Sequence, residues 1–156
     1  MQKTVAYIRE SLQLAGYAVN DLPYQVGGQQ VSNLEAILVG SDTAQEAVVV
    51  GAHYDSVAGT VGANDNATGV AATLELARLM KGSHLRKTVR FLFFVNEEPP
   101  YFQSEDMGSR VSYAQTEPNL RRQENTNRIR IRCLARLSRR SERLSKALGK
   151  LSATRK

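Results

Sequence analysis

Two short apolar runs, residues 47–52 and 88–95, flank a segment whose apolar residues recur at helical spacing. This order of strand, helix and strand limits the fold more than any other feature of the chain. The first run is rich in valine, and the second carries Phe91, Phe93 and Phe94. A continuous apolar run of this length fits a strand buried on both faces. Between them, residues 68–80 bring Val70, Leu74, Ala77 and Leu79 or Met80 to one side of a helix. Strands alternating with helices predict an α/β protein with helices packed on a central sheet.

The flanking sequence extends this pattern. Val5, Ile8, Leu12 and Ala15 predict an amphipathic helix over residues 4–15, and Gly16 suits its C-terminal end. Residues 24–26 and 31–39 read as strands around a Gly27-Gly28 turn. Pro99-Pro100 forces a loop, since proline donates no amide and restricts its predecessor. A further helix is expected over residues 107–114, and the folded body is expected to end near Gln115.

Charge divides the chain at the same place. Residues 1–115 hold 8 Lys/Arg and 12 Asp/Glu, a net of −4, whereas residues 116–156 hold 13 and 3, a net of +10. The tail is rich in Arg, Ser and Leu and has no clear strand. Ile129, Ile131, Leu134, Leu137, Leu144 and Leu148 can line a basic helix there. No run of about 18 apolar residues predicts a membrane span. Lys3, Arg9 and Glu10 interrupt the N-terminus, so no leader peptide is read and a cytoplasmic location is the default. Cys133 is the single cysteine, which excludes an internal disulfide and most cysteine-based metal sites.

Three segments carry candidate chemistry, all at or just after the C-terminal ends of predicted strands, where open α/β sheets place their sites. In Val50-Gly51-Ala52-His53-Tyr54-Asp55-Ser56, His53 and Asp55 are two apart and share a face of an extended chain. A metal-bound imidazole needs an acceptor for its other nitrogen, which Asp55 can supply. A lone histidine at a strand end is more often structural. In Gly62-Ala63-Asn64-Asp65-Asn66-Ala67-Thr68-Gly69, Asp65 or Asn66 can cap the following helix, or Asp65 can bridge metal ions. Asn66-Ala67-Thr68 is formally a glycosylation sequon, discounted because the loop is expected to be buried in the site. In Phe93-Phe94-Val95-Asn96-Glu97-Glu98, adjacent carboxylates end an apolar strand. The pair is either a solvated acidic turn or a metal ligand beside a proton carrier, since buried like charges are costly unless neutralised.

Taken together, His-x-Asp, Gly-x-x-Asp-x-x-x-Gly opening a helix, and Glu-Glu after an apolar strand resemble the M28 aminopeptidase family. Gly108-Ser109 and Tyr113-Ala114 add to the likeness, which covers roughly residues 1–115. The resemblance implies an α/β sandwich around a mixed sheet and two zinc ions at the strand ends. It implies that His53 binds one metal, Asp65 bridges both and Glu98 binds the other. Asp55 would orient His53, and Glu97 would be the general base. The substrate would be a peptide, cut at its free N-terminus.

The chain departs from the family downstream. A further acidic ligand and a further histidine belong after the Tyr-Ala segment, yet the acids there are Glu117, Glu124 and Glu142, and no histidine follows His84. His84 itself reads as a surface residue. The domain is therefore expected to be incomplete, with an apolar sheet edge exposed and residues from about 116 onward coming from a shifted reading frame or truncated gene. Two rival readings remain. The basic tail of an inactive fragment could bind nucleic acid or an anionic surface, although it has no aromatic residue for base stacking. Alternatively, some relatives of these peptidases are glutaminyl cyclases or receptor-like proteins.

Overall fold

The computed structural model describes residues 1–42, 47–121 and 131–133. Helix α1 (Gln2–Leu14) leads into strands β1 (Asn20–Val26) and β2 (Gln29–Leu38), followed by β3 (Val48–His53), helix α2 (Thr68–Met80), strand β4 (Val89–Phe94), helix α3 (Gly108–Arg121) and strand β5 (Ile131–Cys133). The strands form one sheet in the order β1-β2-β4-β3-β5. β1 and β2 form an antiparallel hairpin, β2 runs antiparallel to β4, and β3 lies parallel to both β4 and β5. The sheet is thus mixed and flanked by helices, as expected.

The parallel pair β3–β4 needs a crossover, and α2 provides it. Ala52 pairs with Phe93 and His53 with Phe94, so the two strands end together at one rim. That shared rim brings the His53 and Glu97-Glu98 segments together.

One face of the sheet is sealed by α1 and α2. Ile8 and Leu12 of α1 and Val70 and Ala77 of α2 pack with Leu34, Ala36, Phe91 and Phe93 of the sheet. Tyr17 joins the layers: its ring meets Phe91 edge-on at 5.8 Å, and its hydroxyl donates to the Ala77 carbonyl at 2.9 Å. Lys81 lies 4.1 Å above the same ring and bonds to the Gly16 carbonyl, fixing the end of α2 against the turn after α1. On the other face Val49, Leu92 and Phe94 form a smaller apolar cluster, beside an ion pair of Arg90 with the buried Glu35.

Several boundaries differ from expectation for identifiable reasons. β1 begins at Asn20 and includes Pro23, which an edge strand tolerates because one side of its backbone needs no ladder partner. On α2 the buried face includes Thr73, whose hydroxyl donates to the Gly69 carbonyl at 2.8 Å, while Leu79 is exposed and Met80 half-buried. Helix α3 continues past Gln115 to Arg121. No strand was expected beyond it, yet β5 pairs with Val49, Val50 and Gly51 along part of the edge expected to be open. A strand of three residues is too short to display the period-two pattern by which strands are read. Most of the predicted basic helix lies outside the described residues. His84 is exposed, as expected.

Candidate metal centre

His53 ends β3, and its side chain is 2% exposed. Its Nδ1 lies 3.2 Å from the Asp55 main-chain carbonyl and 3.5 Å from Asp55 Oδ1. The opposite nitrogen, Nε2, faces 3.0 Å from Asp65 Oδ1 and 3.5 Å from Glu97 Oε2. The imidazole is therefore surrounded by carboxylates contributed by all three candidate segments. Burial alone would lower its pKa, but Asp55, Glu97 and Asp65 outweigh that effect and raise it to about 9.

Asp65 lies in an irregular turn, Ala63–Ala67, where Asp65 (φ −121°, ψ 90°) and Asn66 (φ −136°, ψ 38°) depart from helical geometry. The two residues divide the roles that the sequence left open. Asn66 is buried, and its Oδ1 accepts the Gly69 amide at 3.1 Å at the start of α2. A Cβ at Gly69 would come within 2.2 Å of that oxygen, so the contact requires glycine. Asp65 is left to project outward, with 75% of its side chain exposed. The buried Asn66 also agrees with discounting the sequon.

Glu97 and Glu98 follow Asn96, a non-glycine residue in the left-handed region at φ 61°. That turn directs both glutamate amides at Asp55 Oδ2, with distances of 3.0 Å from Glu97 and 3.1 Å from Glu98. The sequence assigned Asp55 to His53 alone. In the structure it also pins the glutamate turn, and Oδ1 is the oxygen left toward His53. Burial opposes the Asp55 carboxylate, but His53 and the Glu98 amide prevail and lower its pKa. Glu97 is shifted the other way: burial raises it, and Glu98, Asp65 and Asp55 add to the rise against the pull of His53. Burial and Asp65 likewise raise Glu98.

Among the described residues, His53, Asp65 and Glu98 form a cluster able to hold a metal ion, with one donor atom from each lying within 4.8 Å of the others. One imidazole and two carboxylates are a suitable donor set for zinc. A cavity of about 200 Å³ adjoins His53 and is bordered by Thr4 and Tyr7 of α1, Val70 of α2, and Ser56 and Val61.

The profile of Peptidase family M28 matches residues 33–130, a span that includes every residue of the cluster. The chain belongs to peptidase family M28. It is 34% identical over 125 residues to YfbL, an uncharacterized protein of Escherichia coli, a match spanning 75% of this chain and 38% of YfbL. Aminopeptidase YwaD of Bacillus subtilis is 49% identical over 51 residues, covering 33% of this chain and 11% of YwaD. The crystal structure of Fimbriiglobus ruber glutaminyl cyclase superposes with a TM-score of 0.53 and 26% identity, covering 63% of this chain and 38% of that one. The chain thus spans well under half the length of these relatives.

Proposed function

We propose that this protein is a metal-dependent peptide hydrolase acting at the free N-terminus, with His53, Asp65 and Glu98 as metal ligands and Glu97 as general base. The convergence of those three donors within 4.8 Å, with Glu97 directly beside His53, carries the reading. Similarity to aminopeptidase YwaD supports the choice of N-terminal substrates. By the family resemblance His53, Asp65 and Glu98 would together hold two zinc ions, with His53 and Glu98 each serving a different one.

Bound zinc would supply a Lewis acid that polarises the scissile carbonyl and lowers the pKa of a coordinated water. The chain's own residues do the rest. The raised pKa of Glu97 suits it to accept a proton from the attacking water and return it to the departing amine. Asp55 aligns His53 Nδ1 chiefly through its main-chain carbonyl, while its Oδ2 holds the two glutamate amides, so one residue positions both sides of the centre.

A second reading is glutaminyl cyclase-like chemistry at a single metal. It is favoured by the likeness to the Fimbriiglobus ruber enzyme and by the proximity of all three donors, which suits one ion. The nucleic-acid reading falls on a tail that lies largely outside the described residues, and the matches do not favour it.

The deciding experiment is hydrolysis of a panel of aminoacyl chromogenic substrates with added zinc, with Glu97→Gln as the control. Zinc-dependent release that the variant loses supports the peptidase. Cyclisation of an N-terminal glutamine substrate without hydrolysis of the panel supports the second reading. Soluble, folded protein inert in both assays overturns both.

A further inference from the structure

Glu97 and Glu98 lie on a loop, residues 96–107, whose two ends are tied together beneath the site. The Gly108 amide donates to the Val95 carbonyl at 2.9 Å. Beside this bond lies Asn33 of β2, a fully buried side chain that none of the three chemical segments includes. Its Oδ1 accepts the Val95 amide at 2.9 Å. Its Nδ2 donates to the Gly108 carbonyl at 2.8 Å and to Ser112 Oγ of α3 at 2.9 Å. One amide thus bonds both ends of the loop as well as the helix that follows it.

The fit is close on every side. A Cβ at Gly108 would lie 2.3 Å from the Val95 carbonyl oxygen and 2.5 Å from Asn33 Oδ1, so only glycine allows the approach. Tyr24 of β1 reinforces the same closure, its hydroxyl lying 3.4 Å from the Val95 carbonyl and 3.2 Å from that of Asp106. Immediately beyond Val95 the chain turns at the left-handed Asn96 and delivers the glutamate amides to Asp55.

We infer that Asn33 is a positioning residue for Glu97 and Glu98, acting through the Val95 and Gly108 backbone. Asparagine is specifically suited to this role, because the site needs one acceptor for an amide and two donors for oxygens. Aspartate keeps the acceptor but faces the Gly108 carbonyl without a proton to offer. Leucine fills the space and leaves the buried Val95 amide unpaired, which is costly. The inference rests on the proposed metal centre only for its consequence in binding. Its structural content, a fixed glutamate turn, stands apart from any metal.

The test compares the full-length chain with Asn33→Asp, Ser112→Ala and the core control Ile8→Val. Ile8 is a buried residue of α1 packed in the main core, away from the glutamate loop, and its truncation supplies general destabilisation. Amide hydrogen exchange is measured first on the metal-free chains. Asn33→Asp is expected to reduce protection at the Glu97 and Glu98 amides about tenfold relative to the β3–β4 ladder. Ser112→Ala should produce the same pattern at smaller amplitude, and Ile8→Val should lower protection evenly. Cobalt is then titrated by its visible absorption. Asn33→Asp should weaken its binding about 10-fold to 100-fold and change the band shape, as loss of an outer-shell partner does. Uniform exchange loss in Asn33→Asp, matching Ile8→Val, overturns the inference. If Asn33→Asp does not fold, Ser112→Ala decides the matter by the same two patterns. A native chain that binds no cobalt refutes the metal reading, and the exchange pattern still decides the role of Asn33.

Discussion

His53 ends a central strand with 2% of its side chain exposed, whereas Asp65, only 3.0 Å away, stands on the crossover loop with 75% exposed. The histidine is held by the sheet and by Asp55. The aspartate is placed by its neighbour Asn66, which caps α2 and leaves Asp65 free of that duty. Glu97 and Glu98 lie between these extremes, half-buried, with fixed amides and projecting carboxylates. The contrast separates a preformed donor from adaptable ones. Ordering side chains carries an entropic cost, which here falls chiefly on the carboxylates.

The largest expected effect separates proton transfer from metal binding. Glu97→Gln should reduce turnover about 10²-fold to 10⁴-fold, the usual contribution of a general base. Zinc affinity, measured by competition with a chromogenic chelator, should stay near that of the native chain. A parallel loss of affinity would make Glu97 a ligand and redraw the division. Next, His53→Ala should weaken zinc more than about 100-fold, beyond the range for outer-shell partners. Asp65→Ala, removing an exposed donor, should cost less. The reverse order would show that the buried histidine is structural.

Asp55→Asn follows, with zinc binding about 10-fold to 100-fold weaker. Because Asp55 also receives the Glu97 and Glu98 amides, the same substitution should disturb those amide resonances. A spectrum altered only near His53 would mean that the two sides of the site are independently built. The mildest test is pH. The metal-free His53 pKa of about 9 exceeds its ordinary value of 6.5. Its contribution to stability is therefore fully present below pH 6.5 and declines as pH rises through about 9. Melting of the metal-free chain from pH 6 to 10 should show this decline, and His53→Ala should flatten it. Zinc affinity should move oppositely, rising towards pH 9 as the competing proton leaves.

The sequence was most legible where burial leaves a periodic trace. The helical spacing over residues 68–80 predicts the boundaries that α2 has, and the two apolar runs form β3 and β4. The site candidates were legible through residue chemistry: His53, Asp65 and Glu98 converge although distant in sequence. Links that depend on side chains meeting another segment's backbone were not legible. Nothing in His-x-Asp announces that Asp55 receives two amides from residues 97 and 98. Asn33 gave no signal either, since one polar residue in a strand looks the same whether it faces solvent or grips a loop. The division of labour between Asp65 and Asn66 needed the turn geometry, which two neighbouring cap-forming residues leave ambiguous.

The parallel pairing of β3 with β4 has a consequence for folding itself. Because the turn Ala63–Ala67 and α2 connect those strands, His53 and Glu98 stand at the ends of successive strands of one crossover unit. Metal held by these residues together with Asp65 would act as a removable staple across the unit, holding together segments that the unfolded chain keeps apart. Closing such a loop carries an entropic cost that grows slowly with its length, and ligand concentration would offset it by mass action. The cooperative unit from β3 to β4 would then melt later as free zinc increases, making the thermal midpoint of the fold a gauge of metal supply.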